Sequence, residues 1–438
     1  MGTVVTGLFL IAENLEVKRN FGVSFKDGEI CDVLENTELL EKYPEFNVID
    51  CSDQIISPGF INAHMHLYGV ISHGISVPSE IEDFRSFLED FWWPEVEDRL
   101  DHKMIAVTAR AMAYELINSG VTALCDVLEA PMAIPGALEA EAEALDDIGI
   151  KATLSFEASE RINTENGILA IEENRYFYQK YKNHPLISGM ICLHTTFTCS
   201  KDFIRRAIDA SKETGAGIQM HLSESRYEPE ICLKNHKKLP VDLYEELGYF
   251  KEPVLAAQGV KLTEKEIDTL AKYDVPLVHL PLSNCEVGGG FAPVPEMLEK
   301  GIKVALGTDG YINNFFEVMR GAFLLHKANL ENPEIMPAET VFKMATVYGA
   351  SAMRLGNSGT LEKGNSADII TIKPELPTPL NKENIFTQLV LYCNPENVKN
   401  VFVHGRRLKA DGALTGTDMK DEYDAVRIQT ARLWEGCQ

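Results

Sequence analysis

Short apolar runs alternate with longer amphipathic stretches through the middle of this chain. Eight such runs occur, and they begin at Ile55, Val121, Ile150, Ile187, Gly217, Pro253, Val275 and Ile302. The stretches between them have helical periodicity, as in KMIAVTARAMAYELINSG, and several end with a glycine just before the next run. This order predicts repeated strand–helix units and a parallel sheet.

Eight strand–helix repeats predict an α/β chain with a (β/α)8 TIM barrel, which we expect over residues 58–356. The chemistry of such a barrel lies on the loops that follow the carboxyl ends of its strands. A doubly wound open sheet is the structural alternative, although no G-x-G-x-x-G motif follows an early strand.

The two ends of the chain have a different pattern, with short strand-like runs separated by Gly, Asn and Asp. Examples are GVSFKDGEI and FNVIDC near the beginning, and GTLEKGNSADIITI and VKNVFVHGRRL near the end. We therefore expect residues 1–57 together with residues 357–438 to form one small β-sandwich domain.

Charge and composition argue against some classes of binding partner. The 438 residues include 41 basic and 66 acidic side chains, a net charge of −25 that repels nucleic acid and anionic membranes. No stretch approaches the roughly 18 apolar residues of a membrane span. Nine scattered cysteines without a C-x-x-C pair do not indicate a disulfide framework. These features predict a cytoplasmic protein that binds neither nucleic acid nor membrane.

Four side chains stand at the ends of predicted strands one, five and eight. His64 and His66 are two residues apart, so that a strand directs both imidazoles to one side. His221 closes the run GIQMHLS, and Asp309 closes IKVALGTD. Taken singly, each histidine has a structural alternative, and the aspartate has the alternative of a turn or helix cap. Together they suit a borderline divalent cation such as zinc.

Four ordered motifs, PGFINAHMH, HLSES, PLSN and ALGTDG, give the chain a family resemblance. It resembles the cytosine-deaminase and chlorohydrolase-like branch of the amidohydrolase superfamily over essentially its whole length. Within that branch it is similar to methylthioadenosine/S-adenosylhomocysteine deaminases and to aminohydrolases associated with selenium metabolism. The resemblance implies a barrel enzyme that releases an amine from a heterocyclic small molecule.

The resemblance also implies site residues. It assigns His64, His66, His221 and Asp309 to one divalent metal ion, with zinc as the default and iron or manganese as alternatives. Glu224 in HLSES would be the proton shuttle, and its alternative is a solvated loop acid. Relatives with two metals carry a carboxylated lysine after strand four, where this chain has His194. We therefore expect a mononuclear site, with His194 either facing the substrate or buried as a hydrogen-bonded structural residue.

The chain departs from the resembled pattern at two positions. Gln258, in AAQGVKL, stands where these relatives have a histidine beside the attacking water, and a glutamine cannot carry a proton. We keep Gln258 with Glu224 and Asp309 in the catalytic set. Either the reaction needs less acid assistance at this position, another group supplies that assistance, or efficient turnover has been lost. His73 stands where methylthioadenosine-type enzymes often carry arginine, which argues against adenosine-type specificity.

The remaining candidates lie on the expected rim of the barrel. The long connection from Leu67 to His102 contains Trp92 and Trp93, which either stack on a planar substrate or pack on the outer helices. His279 and Asn284, in VHLPLSN, follow strand seven and are expected to line the pocket. The predicted substrate-binding set therefore contains six residues: His73, Trp92, Trp93, His194, His279 and Asn284.

The leading hypothesis is hydrolytic deamination of an exocyclic amine on a purine, pyrimidine, pterin or triazine. An amide- or imidazolone-opening or dechlorinating hydrolase is the enzymatic alternative, because loops determine which ring is bound. A catalytically impaired binding protein is the third, on account of Gln258. The family implies a homo-oligomer, such as a dimer, although no sequence feature indicates an interface.

Overall fold

The computed structural model describes residues 2–77 and 80–435. Its strands are β1 Thr3–Ile11, β2 Val17–Arg19, β3 Phe21–Lys26, β4 Glu29–Glu35, β5 Asn47–Pro58, β6 Phe60–Met65, β7 Val121–Leu128, β8 Lys151–Ala158, β9 Ile187–Gly189, β10 Ile191–Leu193, β11 Ile218–Leu222, β12 Val254–Gln258, β13 Leu277–His279, β14 Val304–Leu306, β15 Ile369–Ile372, β16 Val398–Val403, β17 Arg406–Ala410 and β18 Ala413–Leu414.

The helices are α1 Asn36–Lys42, α2 Phe84–Ser86, α3 His102–Asn118, α4 Ala137–Ile148, α5 Thr164–Tyr181, α6 Lys201–Thr214, α7 Tyr227–His236, α8 Pro240–Leu247, α9 Glu264–Lys272, α10 Pro281–Glu286, α11 Val294–Glu299, α12 Phe315–Asn329, α13 Ala338–Met344, α14 Val347–Ala352, α15 Ile385–Tyr392 and α16 Met419–Trp434. Several begin at a side-chain cap, for example Asp101 to the Met104 amide and Ser200 to the Phe203 amide. Gly149 and Gly215 end α4 and α6 in the left-handed region.

The predicted barrel is present. Its parallel strands follow the order β6, β7, β8, β10, β11, β12, β13, β14, and β9 adds a second short pairing to β8. The ring closes where the backbone amides of Thr308 and Asp309 donate to the carbonyl oxygen of His64, over 3.1 and 3.2 Å. Every residue of β7 and β8 is buried, as expected for parallel strands covered on both faces.

Both ends of the chain contribute to a second, mixed sheet. This sheet has nine strands: eight follow one hydrogen-bonded path in the order β18, β17, β16, β15, β5, β1, β3, β4, and β2 pairs with β1 beside that path. The expected β domain therefore has its strands joined in a single sheet. The C-terminal part that we assigned to it also contains α15 and α16, which pack on barrel helices α12, α13 and α3.

Two findings concern the expected surroundings of the protein. Within residues 2–77 and 80–435, no helix is both long enough and apolar enough to cross a membrane. Eight cysteines in those ranges are unpaired, and Cys437 lies outside the described residues.

Candidate active site

A cavity of about 550 Å³ opens at the carboxyl ends of the barrel strands. Its floor includes His66, His221, Glu224, Gln258 and Asp309. These residues follow or end β6, β11, β12 and β14, so the barrel brings together positions that lie far apart in the sequence. The location agrees with the general rule for barrel enzymes.

Three histidines come together at this end of the barrel, where His66 and His221 line the cavity and His64 is buried next to them. The ring centroids of His64 and His221 are 4.9 Å apart, those of His64 and His66 are 5.1 Å apart, and those of His66 and His221 are 5.4 Å apart. One nitrogen from each ring lies within 4.8 Å of the others. Three imidazoles at this spacing can hold a single divalent cation.

The state of each imidazole fits a metal. His66 Nδ1 lies 2.7 Å from the carbonyl oxygen of Val127, so it donates there and leaves Nε2 free to face the centre. Both ring nitrogens of His64 are buried and have no hydrogen-bond partner among the described residues. Burial lowers the pKa of His64 well below its ordinary value and lowers the pKa of His221 to about 3, with neighbouring histidines adding to both shifts. Neutral histidines are the ligand form that metals require.

Asp309 completes the group. Its Oδ1 lies 3.3 Å from His66 Nε2 and accepts from the Gly310 amide over 2.9 Å. Its Oδ2 accepts from Ser283 Oγ over 2.9 Å and from Gln258 Nε2 over 2.8 Å. Burial by itself would raise the pKa of Asp309, but the neighbouring histidines, when they carry a proton, and the hydrogen bond from Ser283 outweigh it and lower the pKa to about 2. The carboxylate is therefore ionised and held in place by four contacts.

Glu224 lines the same cavity, two residues beyond the end of β11. Burial raises its pKa well above the ordinary value, and the charges of Asp309 and Glu228 add to the shift. Glu228 holds the loop before it by accepting from the amides of Ser223 and Thr196, over 2.6 and 2.8 Å. Glu224 is thus a carboxyl group with raised proton affinity beside the metal-ligand group.

Gln258 occupies a position that the family resemblance gives to histidine. Besides donating to Asp309, it accepts from Asn284 Nδ2 over 2.5 Å. Asn284 acts on the site through Gln258 and is not itself part of the cavity wall, which contains the neighbouring Ser283. Gln258 links the ends of β12, β14 and α10 around the carboxylate.

His194 combines both roles that the sequence left open. It lines the cavity and is also buried, with Nδ1 2.8 Å from Thr198 Oγ1 and Nε2 3.4 Å from Glu157 Oε1. His73 lies at the exposed rim, where its Nε2 is 2.8 Å from the carbonyl oxygen of Gly310.

The aromatic residues of the long rim connection form a wall of the cavity. Trp92 and Trp93 both line it and are half-buried. Phe87 stacks on Trp92 with ring centroids 5.6 Å apart, and Phe91, which belongs to the core, lines the cavity with them. The structure therefore combines the two alternatives, because the segment packs on the barrel and also presents indole rings to the cavity.

His279 is not among the residues that line the cavity, contrary to our expectation. It is buried at the end of β13, and its Nε2 lies 3.0 Å from Nε2 of His326 on α12. The partner is 47 positions away in the sequence, so the local pattern VHLPLSN gave no indication of it.

Three buried acidic residues of the cavity wall were missed. Glu97, Glu129 and Glu157 line the cavity and are buried, and Arg161 pairs with the first two. Burial raises the pKa of Glu157 well above its ordinary value, and the charges of Glu129 and Glu97 add to the shift. The signal was available, because Glu129 and Glu157 lie at the carboxyl ends of β7 and β8 just as the metal-ligand candidates do on other strands.

Comparison with known proteins agrees with the geometry. A model of the amidohydrolase family matches residues 55–408. The 5-methylthioadenosine/S-adenosylhomocysteine deaminase of Thermococcus sibiricus is 36% identical over 366 residues, covering 82% of this chain and 84% of the relative. The 5'-deoxyadenosine deaminase of Methanosarcina acetivorans is 31% identical, covering 95% and 94%.

A solved structure shows the same fold. The adenosine deaminase of Xanthomonas campestris with bound zinc superposes with a TM-score of 0.88 at 19% identity, covering 98% of both chains. The barrel, the family and the enzyme class expected from the sequence are confirmed. The chain belongs to the amidohydrolase family and is a metal-dependent hydrolase of carbon–nitrogen bonds other than peptide bonds.

Proposed function

We propose that the protein removes an exocyclic amine from a nitrogen heterocycle and releases ammonia, using one divalent cation held by His64, His66, His221 and Asp309. The observation that carries this proposal is the convergence of the three imidazoles and Asp309 at the end of the barrel where Glu224 lines the cavity. Zinc is the proposed ion because three nitrogens and one oxygen suit it, with iron or manganese as alternatives.

The side chains have separate roles in the proposed reaction. A divalent cation, when bound, supplies the Lewis acidity that lowers the pKa of water towards neutrality. Glu224 accepts a proton from the attacking water and gives it to a ring nitrogen of the substrate, a task that suits its raised pKa. Asp309 accepts the second proton and passes it to the leaving amine. A carbon–oxygen bond replaces the carbon–nitrogen bond, and ammonia departs.

Gln258 has a positioning role in this proposal. It cannot transfer a proton, but its amide holds Oδ2 of Asp309 and fixes the direction of that carboxylate. Of the three explanations that the sequence left open for Gln258, this geometry favours proton transfer by Glu224 and Asp309 without its help.

The substrate is proposed to be a small planar heterocycle. Trp92 and Trp93 supply flat aromatic surface, His194 lies between this wall and the metal ligands, and His73 lies at the rim. The deaminases that the chain resembles support an amine as the leaving group. We further propose a cytoplasmic homo-oligomer, in which the unpaired cysteines fit a reducing compartment.

The test is a screen of the zinc-loaded protein against purines, pyrimidines, pterins and triazines for ammonia release, followed by Glu224→Gln. We expect the variant to lose at least about a hundredfold in kcat, because it cannot transfer a proton, while its zinc content by elemental analysis is unchanged. Glu286→Gln is the matched control, since Glu286 is an exposed acid on the same cavity.

Two results would contradict the proposal. Full ammonia release by Glu224→Gln would remove Glu224 from the reaction. Chloride or a new carboxylate as the product, in place of ammonia, would instead favour a dechlorinating or ring-opening hydrolase. Elemental analysis of the wild-type protein gives the metal and its number in the same experiment.

A further inference from the structure

The cavity has a wall of buried acids beside the metal-ligand group. Glu97, Glu129 and Glu157, hereafter the acid wall, are 2%, 3% and 3% exposed and line the cavity. Glu157 Oε2 lies 3.4 Å from Nδ1 of His221, a proposed metal ligand. The acid wall is therefore one imidazole ring away from the centre of the proposed reaction.

Arg161 carries the positive charge in this region, and its guanidinium is already paired with carboxyl groups. The guanidinium of Arg161 pairs with Glu97 over 3.1 Å, with Asp98 over 2.8 Å and with Glu129 over 2.5 Å. Among the described residues that line the cavity, none is a lysine or an arginine. One guanidinium thus faces a group of four carboxyls that includes Glu157.

Glu157 is the member that Arg161 does not pair with. Its carboxyl is in hydrogen-bond contact with the carboxyl of Glu129, and the nearest ring nitrogens, of His194 and His221, are each 3.4 Å away. Nδ1 of His221 is itself buried without a partner. Two buried carboxyl groups in contact repel each other once both are ionised, so the pairing of Glu157 with a bound cationic group would be favourable.

We propose that the acid wall is a subsite for a cationic amidine, guanidine or amine group that the substrate carries in addition to the amine that is removed. This proposal rests on the proposed function and narrows its substrate class. A planar amidinium or guanidinium can donate two hydrogen bonds to one carboxylate, which is the strongest form of such pairing. The adjacent indoles of Trp92 and Trp93 suit a flat cationic ring.

An organic cation fits this wall better than a second metal ion does. Glu157, His194 and His221 offer three ligand atoms within 4.8 Å of one another, but His221 also belongs to the first group of three histidines. With His221 committed there, only two ligands remain, fewer than a closed metal site requires. The same wall disfavours an anionic substrate, because no described lysine or arginine lines the cavity to receive it.

The test compares benzamidine with its neutral isostere benzamide on the zinc-loaded protein, by calorimetry. We expect benzamidine to bind about tenfold or more tightly, the effect of one charged hydrogen-bonded pair. Glu157→Gln keeps the size of the side chain and removes its charge, and should bring the two affinities to within about twofold. Glu286→Gln, at the exposed rim of the same cavity, should keep the preference.

Three outcomes would overturn the subsite. Equal binding of benzamidine and benzamide by the wild-type protein would do so without any variant. A Glu157→Gln protein that loses zinc but keeps the preference would show that Glu157 only orients His221. Two zinc ions per chain, with the second displaced by benzamidine, would assign the wall to a metal. Ammonia release is measured separately, so its absence beside a retained benzamidine preference would reject the proposed function and leave the subsite standing.

Discussion

The side-chain amide of Gln258 donates a hydrogen bond to Oδ2 of Asp309 over 2.8 Å. The oxygen of the same amide accepts from Asn284 Nδ2 over 2.5 Å, so the direction of the amide is fixed by its two partners. Gln258 has a positive φ of 82°, a strained conformation for a residue with a side chain. The chain holds this residue in place although it cannot exchange a proton, which supports the proposed role of orienting the carboxylate.

Replacing Gln258 with leucine should weaken metal binding about ten- to hundredfold, the usual effect of losing a partner of a metal ligand. Asp309 loses one of two side-chain donors to Oδ2, and the amide of Asn284 loses its acceptor. The measurement is zinc retention against a competing chelator. Gln219→Leu is the matched control, because Gln219 is equally buried on β11 and contacts Ser155 instead. Equal zinc affinity in wild type and Gln258→Leu would contradict the orienting role.

Removal of the metal should lower the stability of the folded protein. His64 has two buried ring nitrogens without partners, and bound metal satisfies one of them. Free zinc at a hundred times its dissociation constant stabilises a folded protein by about 2.7 kcal/mol. The unfolding temperature should therefore fall after chelation and rise again when zinc is added. The variant His64→Ala should not respond to zinc in this way, and a wild-type protein indifferent to chelation would argue against the site.

The joint between the barrel and the terminal β domain offers a separate prediction. Lys151 Nζ, at the start of β8, lies 2.5 Å from Asp368 Oδ2 and 2.7 Å from Ser366 Oγ, and both charged side chains are at least nine-tenths buried. Lys151→Met leaves Asp368 as an uncompensated buried charge, which should cost about 3–5 kcal/mol of unfolding free energy. Urea unfolding of the variant and the wild-type protein measures this loss of unfolding free energy.

An exposed ion pair supplies the control for that experiment. Lys272 Nζ lies 2.8 Å from Glu245 Oε1, with 63% of the lysine side chain exposed. Lys272→Met should cost less than about 1 kcal/mol, because surface pairs contribute little. Similar losses in the two variants would mean that the buried pair does not join the domains.

The strand-end rule explains how the proposed metal ligands could be identified from the sequence. In a parallel barrel every strand ends at the same rim, so a residue type and its place in an apolar run were enough to bring His64, His66, His221 and Asp309 together. The same rule applies to Glu129 and Glu157. They were passed over because an acid after a strand is ordinarily read as a solvated loop residue.

Other features had no local signal. His279 sits at a strand end, yet its ring turns towards His326 on α12, and such a choice depends on packing between elements. The segment Phe87–Val96 belongs to the connection from Leu67 to His102, which was expected to be a long rim loop. It instead forms wide helical turns, and Pro94 is accommodated where the hydrogen-bond pattern is already irregular.

The buried pair of His279 and His326 makes stability depend on pH. Burial lowers the pKa of His326 to about 4, whereas an unfolded histidine titrates near 6.5. Between these two pKa values the unfolded chain binds more protons than the folded protein does. The contribution of His326 to the free energy of unfolding is therefore fully present above about pH 6.5, and about 3 kcal/mol of it is lost as the pH falls towards 4. His326→Gln keeps a polar partner for His279 Nε2 but does not titrate. With both proteins saturated with zinc, urea unfolding from pH 6.5 to 4.5 should show a shallower loss of stability in the variant. Parallel curves for the two proteins would mean that His326 takes up its proton without unfolding, and that another group supplies the acid sensitivity.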